Sequence, residues 1–243
     1  RSRTGAPFVD IMHGAPSRWE RAAARRRPDA WVAQTRAATE SLKKEGLRIE
    51  VIPPGVDTER FSSDGPRAET GLEPPIAISV GELEPLKRMD AVIRAVERRG
   101  TGSALIVGDG EQRDALKALG GRLLGPKRFR LLAAPPDDVP SLLRAADVFV
   151  SASLSEAFGL AMLEALACGK PVVARDDAVR REILGADSTL FSDDAPDRIV
   201  ACMETALSVP AGKMKVIGLD YSETRMIEQY GRLFDSLLKR DHD

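Results

Sequence analysis

Cysteine and histidine are scarce in this chain. Cys168 and Cys202 are the only two cysteines in 243 residues, and both fall in predicted helices. No paired spacing points to a disulfide frame or a metal site. Such usage fits a reducing, cytoplasmic setting, and a cysteine-poor exported protein would share it. No apolar run is long enough to span a bilayer, and no signal peptide is recognisable. There is no internal repeat and no low-complexity tract. No Asp-x-Asp pair stands where a metal ligand would be useful, so no metal is expected.

What the chain does hold is apolar mass, with 43% hydrophobic residues, enough for one large domain or two smaller ones. Net charge is −1 but uneven: residues 1–50 carry 11 Lys/Arg against 6 Asp/Glu. The excess concentrates in Arg18, Arg21, Arg25, Arg26 and Arg27, flanked by Trp19 and Trp31. This run reads as a solvated helix face. Its alternative is a basic, Trp-bearing surface for anionic lipid headgroups at the inner face of a membrane. No nucleic-acid-binding module accompanies the arginines.

From residue 76 onward, short apolar runs alternate with amphipathic stretches. Ile76–Val80, Ala104–Val107, Phe129–Leu132, Asp147–Ser151, Pro171–Ala174 and Thr189–Phe191 read as strands. Helices are expected between them, the first with Leu86, Met89, Val92, Ile93 and Val96 on one face. Strands that are apolar throughout and separated by helices predict a parallel, doubly wound α/β sheet. Such sheets bind ligands at the carboxyl ends of their strands. The first fifty-odd residues read as the tail of a second α/β unit: strands at Phe8–Met12, Ala30–Ala33 and Ile49–Ile52, and a helix from Ala37 to Glu45. Pro53-Pro54-Gly55 and the Pro/Gly-rich run from Ser62 to Pro75 mark the junction. A last helix, Glu223 to Lys239, carries Met226, Ile227, Tyr230, Leu233, Phe234, Leu237 and Leu238 on one side.

The segment Ser155 to Gly169 holds the most chemistry. It reads as a loop running into a helix that is apolar on nearly every side, yet carries Glu156 and Glu164. The neighbours of Glu164 three and four positions away are Leu160, Ala161, Ala167 and Cys168, none of them a polar partner. An unpaired carboxylate buried there costs several kcal/mol, roughly. Either an arginine from a neighbouring element pairs with it, or a polyhydroxy ligand does. Gly159 permits close backbone approach, and the amides of Phe158, Gly159 and Leu160 stand at the helix start, where the dipole favours phosphate. With Glu156 on the rim and Glu164 two turns in, the pair can grip hydroxyls on either side of a phosphate. Gly81, closing a strand, with Lys87 at a helix start, reads as a diphosphate cradle or as surface decoration. Gly108-Asp109-Gly110 is a turn that can line the same pocket. His13 ends a predicted strand, placed for either a structural or a functional role.

At these residues the chain resembles the family-4 retaining glycosyltransferases of the GT-B fold. Val51 to Asp57 with Phe61 resembles that family's interdomain segment. Val80-Gly81-Glu82-Leu83 through Lys87 resembles its first donor-domain loop, and Ile106 to Gly110 its second. Ser155-Glu156 through Glu164-Ala165, then Cys168 to Val173, resembles its two-glutamate signature.

The resemblance implies a GT-B arrangement of a Rossmann-like donor domain and a truncated second Rossmann-like unit. The expected divisions are 1–53 as a remnant of the acceptor-side domain, 54–222 as the nucleotide-sugar domain, and 223–243 as a helix packing back on the first unit. It implies transfer of a sugar from a nucleoside diphosphate (UDP, GDP or ADP) to an acceptor hydroxyl, the acceptor being a sugar, lipid or small molecule. By position, Glu164 would bind the ribose hydroxyls and Glu156 the transferred sugar. The amides of Phe158, Gly159 and Leu160 would approach the sugar and diphosphate. Lys87 would neutralise the leaving diphosphate, with Gly81 giving it room and Gly108 beside it. The backbone from Ala133 to Pro136, Ala134 included, would border the base, and His13 would face the reacting sugar.

Two departures stand out. Glu82 occupies a position where many members have arginine, which leaves more of the phosphate charge to Lys87. The first domain is also represented only by its end. Two other readings share the donor site: a sugar-nucleotide epimerase on the same fold, and a donor-binding module without turnover.

Overall fold

In a computed structural model of the chain, residues 7–12, 28–39, 49–185, 189–209 and 221–239 are described. Packing divides them into two units. One is drawn from the chain before Asp57, from Glu156–Phe158 and from the C-terminal helix; the other from Asp57–Ser155 and the described residues from Gly159 to Val209. His13, Trp19, the arginines from Arg18 to Arg27 and the predicted helix beyond Thr39 lie outside the described residues.

The first unit is built on three parallel strands, β1 (Val9–Met12), β2 (Ala30–Ala33) and β3 (Ile49–Val51), in that order. One helical turn, α1 (Arg36–Thr39), follows β2. Side chains alternate across the sheet. Met12, Trp31 and Ala33 cluster with Ala38 on one face. Ala30, Val32 and Ile52 meet Leu233 and Leu237 of the C-terminal helix (Glu223–Lys239) on the other. Each of those two leucines is 5% exposed; burying such a side chain contributes about 1.5–3 kcal/mol.

The second unit carries six parallel strands: β4 (Ile76–Val80), β5 (Ser103–Val107), β6 (Phe129–Leu132), β7 (Val148–Ser151), β8 (Val172–Arg175) and β9 (Leu190–Phe191). Their order across the sheet is β6-β5-β4-β7-β8-β9. Chain order reverses between β4 and β7, which opens a crevice at their carboxyl ends. The connecting helices are α2 (Met89–Arg99), α3 (Arg113–Leu123), α4 (Val139–Ala145), α5 (Leu160–Ala167), α6 (Ala178–Leu184) and α7 (Pro196–Leu207); the C-terminal helix becomes α8. Ala77, Ala104, Ile106, Val148, Val150 and Val173 project to the face that packs on α2, α3 and α7. Ile76, Ile78, Leu105, Phe149, Val172 and Ala174 project the opposite way and are buried as well. Burial on both faces is why these strands are apolar throughout.

One predicted face needs correction. Leu86 does not join the buried stripe of Met89, Val92, Ile93 and Val96; it is 44% exposed. It belongs to a separate 3₁₀ turn, Pro85–Lys87. Arg88, in the left-handed region at φ 49°, breaks the chain between that turn and α2. Cys168 is buried against α5, and burial pushes its thiol up to about 11, so it stays protonated. No helix among the described residues is long and apolar enough to cross a membrane.

The adjacent glycines Gly120 and Gly121 in α3 separate packing from propensity. A Cβ on Gly120 would lie 2.4 Å from the Phe129 ring, which is buried and has nowhere to go. A Cβ on Gly121 would meet nothing. Gly120→Ala is therefore expected to destabilise by about 1–3 kcal/mol. Gly121→Ala should stabilise by about 0.5–1 kcal/mol. Urea unfolding of both variants checks this, and the same sign for both would contradict the helix–strand packing.

Candidate functional site

The carboxyl ends of β4, β5, β6 and β7 lead into four loops, and the expected site residues of the second unit sit in them or just beyond. Gly81 follows β4 and Gly108 follows β5, and the two turns interlock. The Gly81 amide donates to the Val107 carbonyl at 3.0 Å, and the Leu83 amide to the Asp109 carbonyl at 2.9 Å. A Cβ on Gly108 would stand 1.9 Å from the Gly81 oxygen. Only glycine allows this approach. Leu83 is wholly buried beneath, and Glu82 beside it is exposed. Gly108 in turn donates to the Leu132 carbonyl at 2.9 Å, which ties it to the strand leading to Ala134. Ala134 is half-buried in the loop before a second 3₁₀ turn, Pro136–Asp138.

Lys87 ends the 3₁₀ turn and is half-buried, rather than standing at a helix start. The Leu154 amide donates to the Leu86 carbonyl at 2.9 Å, so the loop after β7 holds this turn. Arg88 does not add a second cation beside Lys87. Its Nε donates to Asp90 at 3.2 Å and its Nη1 to Asp194. Asp194 also accepts from Arg175. The left-handed backbone at Arg88 costs about 1–2 kcal/mol without such support.

The helix bearing Glu164 begins at Leu160, because Gly159 adopts φ 95°, ψ 56° as its cap. Glu164 therefore stands in the second turn, not two full turns in. Among the described residues, the amides of Gly159 and Leu160 find no acceptor, which leaves donors at a helix N-terminus. Leu160 is 48% exposed. Glu164 is half-buried, and its carboxylate accepts no hydrogen bond and forms no ion pair among the described residues. Burial pushes its pKa above the ordinary glutamate range, and the positive charge of Arg60 opposes the rise. Arg60 itself pairs with Asp137 at 3.1 Å and lies over the Phe61 ring. Among the described residues, then, no arginine is bonded directly to Glu164.

Glu156 and Phe158 group with the first unit. Glu156 is half-buried, and Phe158 is buried with its ring edge-on to Tyr221 at 5.7 Å.

Sequence reasoning missed Arg180. It is fully buried, donates to the Ser153 carbonyl at 2.9 Å and pairs with Asp177. Asp177 also caps α6 by accepting from the Arg180 amide at 2.8 Å. The Ser153 hydroxyl donates to the Ser155 carbonyl at 2.9 Å. Arg180 therefore anchors the loop that carries Ser155. Its signal was an Asp-x-x-Arg pair at a helix start, which looks like ordinary capping. No group of three or more His, Cys, Asp or Glu is placed to hold a metal ion among the described residues.

The family model for glycosyl transferases group 1 matches residues 65–218. The chain belongs to this family. It is 40% identical over 176 residues to the D-inositol 3-phosphate glycosyltransferase of Nocardia farcinica (strain IFM 10152), covering 65% of this chain and 38% of that one. The protein of the same name from Segniliparus rotundus is 33% identical over 205 residues, covering 75% and 45%. The chain thus spans less than half the length of these group 1 relatives. Among solved structures, Anabaena HepE in complex with UDP and glucose superposes with TM-score 0.79 at 21% identity, over 95% of this chain and 72% of that one. Sucrose-phosphate synthase of Thermosynechococcus elongatus gives TM-score 0.81 at 19% identity, over 96% and 68%. These likenesses establish the GT-B type of fold, of which this chain covers a part.

The raised pKa of Glu164 has a measurable consequence. An acid whose pKa is higher folded than unfolded destabilises the fold as pH rises through that interval. Glu164→Gln is therefore expected to raise the urea midpoint of the ligand-free protein at pH 7. The gain should vanish once pH falls below the ordinary glutamate range. A gain that persists at low pH would mean the burial of Glu164 is not its source.

Proposed function

We propose that this chain grips a nucleoside-diphosphate sugar at the carboxyl edge of the six-stranded sheet and serves transfer of the sugar to an acceptor hydroxyl with retained anomeric configuration. The observation that carries the reading is Glu164, a half-buried carboxylate with no hydrogen bond among the described residues of a group 1 glycosyl transferase. A vicinal diol offers two donors to such a group, and charge-assisted bonds of this kind are the strong ones.

In this reading Glu164 holds the ribose hydroxyls, and the loop backbone at Ala134 borders the base. The Gly159 and Leu160 amides, with that of Phe158, receive the diphosphate and sugar. Gly81 and Gly108 leave room for the diphosphate, and Lys87 neutralises it as it departs. Glu156 contacts the transferred sugar, and His13 faces it from the acceptor side. Charge on the leaving group is met by Lys87 and helix amides, so the transfer is metal-independent. Glu82 adds no cation.

Residues 1–53 belong to the acceptor-side domain, 54–222 to the donor domain, and the helix from 223 returns to the former. The site of action is cytoplasmic, with Arg18 to Arg27 meeting the membrane's inner face. UDP, which HepE holds in its solved structure, is the first nucleotide to try, and an inositol phosphate, for which the relatives are named, the first acceptor.

Calorimetric titration with UDP, GDP and ADP tests the donor half. One of the three should bind, and Glu164→Ala should weaken it by about tenfold or more. A folded protein that binds none would overturn the reading, and unchanged affinity in Glu164→Ala would remove that residue's role. Incubation with the matching nucleotide-sugar and an inositol phosphate should yield a glycoside of the donor's anomeric configuration by NMR.

A further inference from the structure

The turn that carries Lys87 depends on an unusual residue. Arg88 is the one non-glycine with positive φ among the described residues. Its left-handed backbone ends the Pro85–Lys87 turn and starts α2 on a new heading. Were residue 88 to relax into the right-handed region, turn and helix would merge into one run, and the direction of the Lys87 side chain would change with it.

Something must hold Arg88 in that conformation, and its side chain shows what does. Asp90 accepts from its Nε at 3.2 Å, but Asp90 lies on the same helix and cannot fix the turn against the sheet. Asp194 lies 106 positions away in the chain, in the loop after β9. It accepts from Arg88 and, with its other oxygen, from Arg175 at the end of β8. Its side chain is 17% exposed, and that of Arg175 18%. The Asp194 carboxylate therefore ties the turn after β4 to the ends of β8 and β9.

We propose that Asp194 is a positioning residue for Lys87: by holding the Arg88 guanidinium it maintains the left-handed backbone that aims Lys87 at the diphosphate. The inference rests on the assignment of Lys87 to that group. Neither Asp194 nor Arg88 touches the ligand. Their contribution is geometric, and a glycine at position 88 would adopt the same backbone without a clamp.

The test measures how much the diphosphate adds to binding. The affinity of the best-binding nucleoside diphosphate among UDP, GDP and ADP is divided by that of its nucleoside. Lys87→Ala should lower this ratio by about tenfold. Asp194→Asn and Arg88→Ala should lower it comparably, with nucleoside affinity kept as evidence of an intact fold. Arg88→Gly should keep the ratio, and should restore it when added to Asp194→Asn. If Asp194→Asn does not fold, the contrast between Arg88→Ala and Arg88→Gly decides. A wild-type ratio in Arg88→Ala and Asp194→Asn, beside a lowered one in Lys87→Ala, overturns the positioning role alone. Equal losses in Arg88→Ala and Arg88→Gly also overturn it, since the guanidinium would then act directly. An unchanged ratio in Lys87→Ala overturns the assignment of Lys87 and the inference together.

Discussion

The inner strands of the six-stranded parallel sheet have no solvated face, and most of what is chemical about this protein follows from that. Helices cover both surfaces, so these strands are apolar along their length. Polar groups are pushed to the strand ends. At the carboxyl ends the loops leave backbone amides and a few side chains to meet a ligand, and the reversal of chain order between β4 and β7 opens space there. The fold thus chooses the edge before any side chain chooses a substrate.

Within that edge, close approach of backbones does the shaping. The turns after β4 and β5 touch at Gly81 and Gly108, and a single added methyl would collide with a carbonyl. Polar anchors hold the other loops. Arg180 grips the Ser153 carbonyl from beneath, and Asp194 gathers the turn after β4 toward β8 and β9. These anchors are charged groups largely removed from water. Each is tolerable because carboxylates and carbonyls answer it. Glu164 is the exception, half-buried and without a hydrogen bond among the described residues, and the proposed function gives that exception a purpose.

Much of this was legible in the sequence. All six strands of the second unit were placed from apolar runs alone, and α8 was bounded at Glu223 and Lys239. Hydrophobic periodicity is local, so it survives without a structure. The helix that bears Glu164 was recognised, but its start was set too early, because a left-handed Gly159 is not visible in a pattern of apolar residues. Leu86 was assigned to the wrong face for the same reason: a left-handed arginine at position 88 has no sequence signature. Arg180 was not singled out at all, since a string of letters does not show that its surroundings are dry.

The sequence by itself determined the class of fold, the order of its elements and the family, because each rests on local pattern and on motifs contiguous in the chain. Only the tertiary structure decided which of the charged groups are spent on one another. It paired Arg88 and Arg175 with Asp194, Arg60 with Asp137 and Arg180 with Asp177, and among the described residues it left Glu164 without a bond. The physical reason is distance through space. Whether a charge is neutralised depends on what lies within a few ångströms of it, and several of these partners are tens of residues apart in the chain.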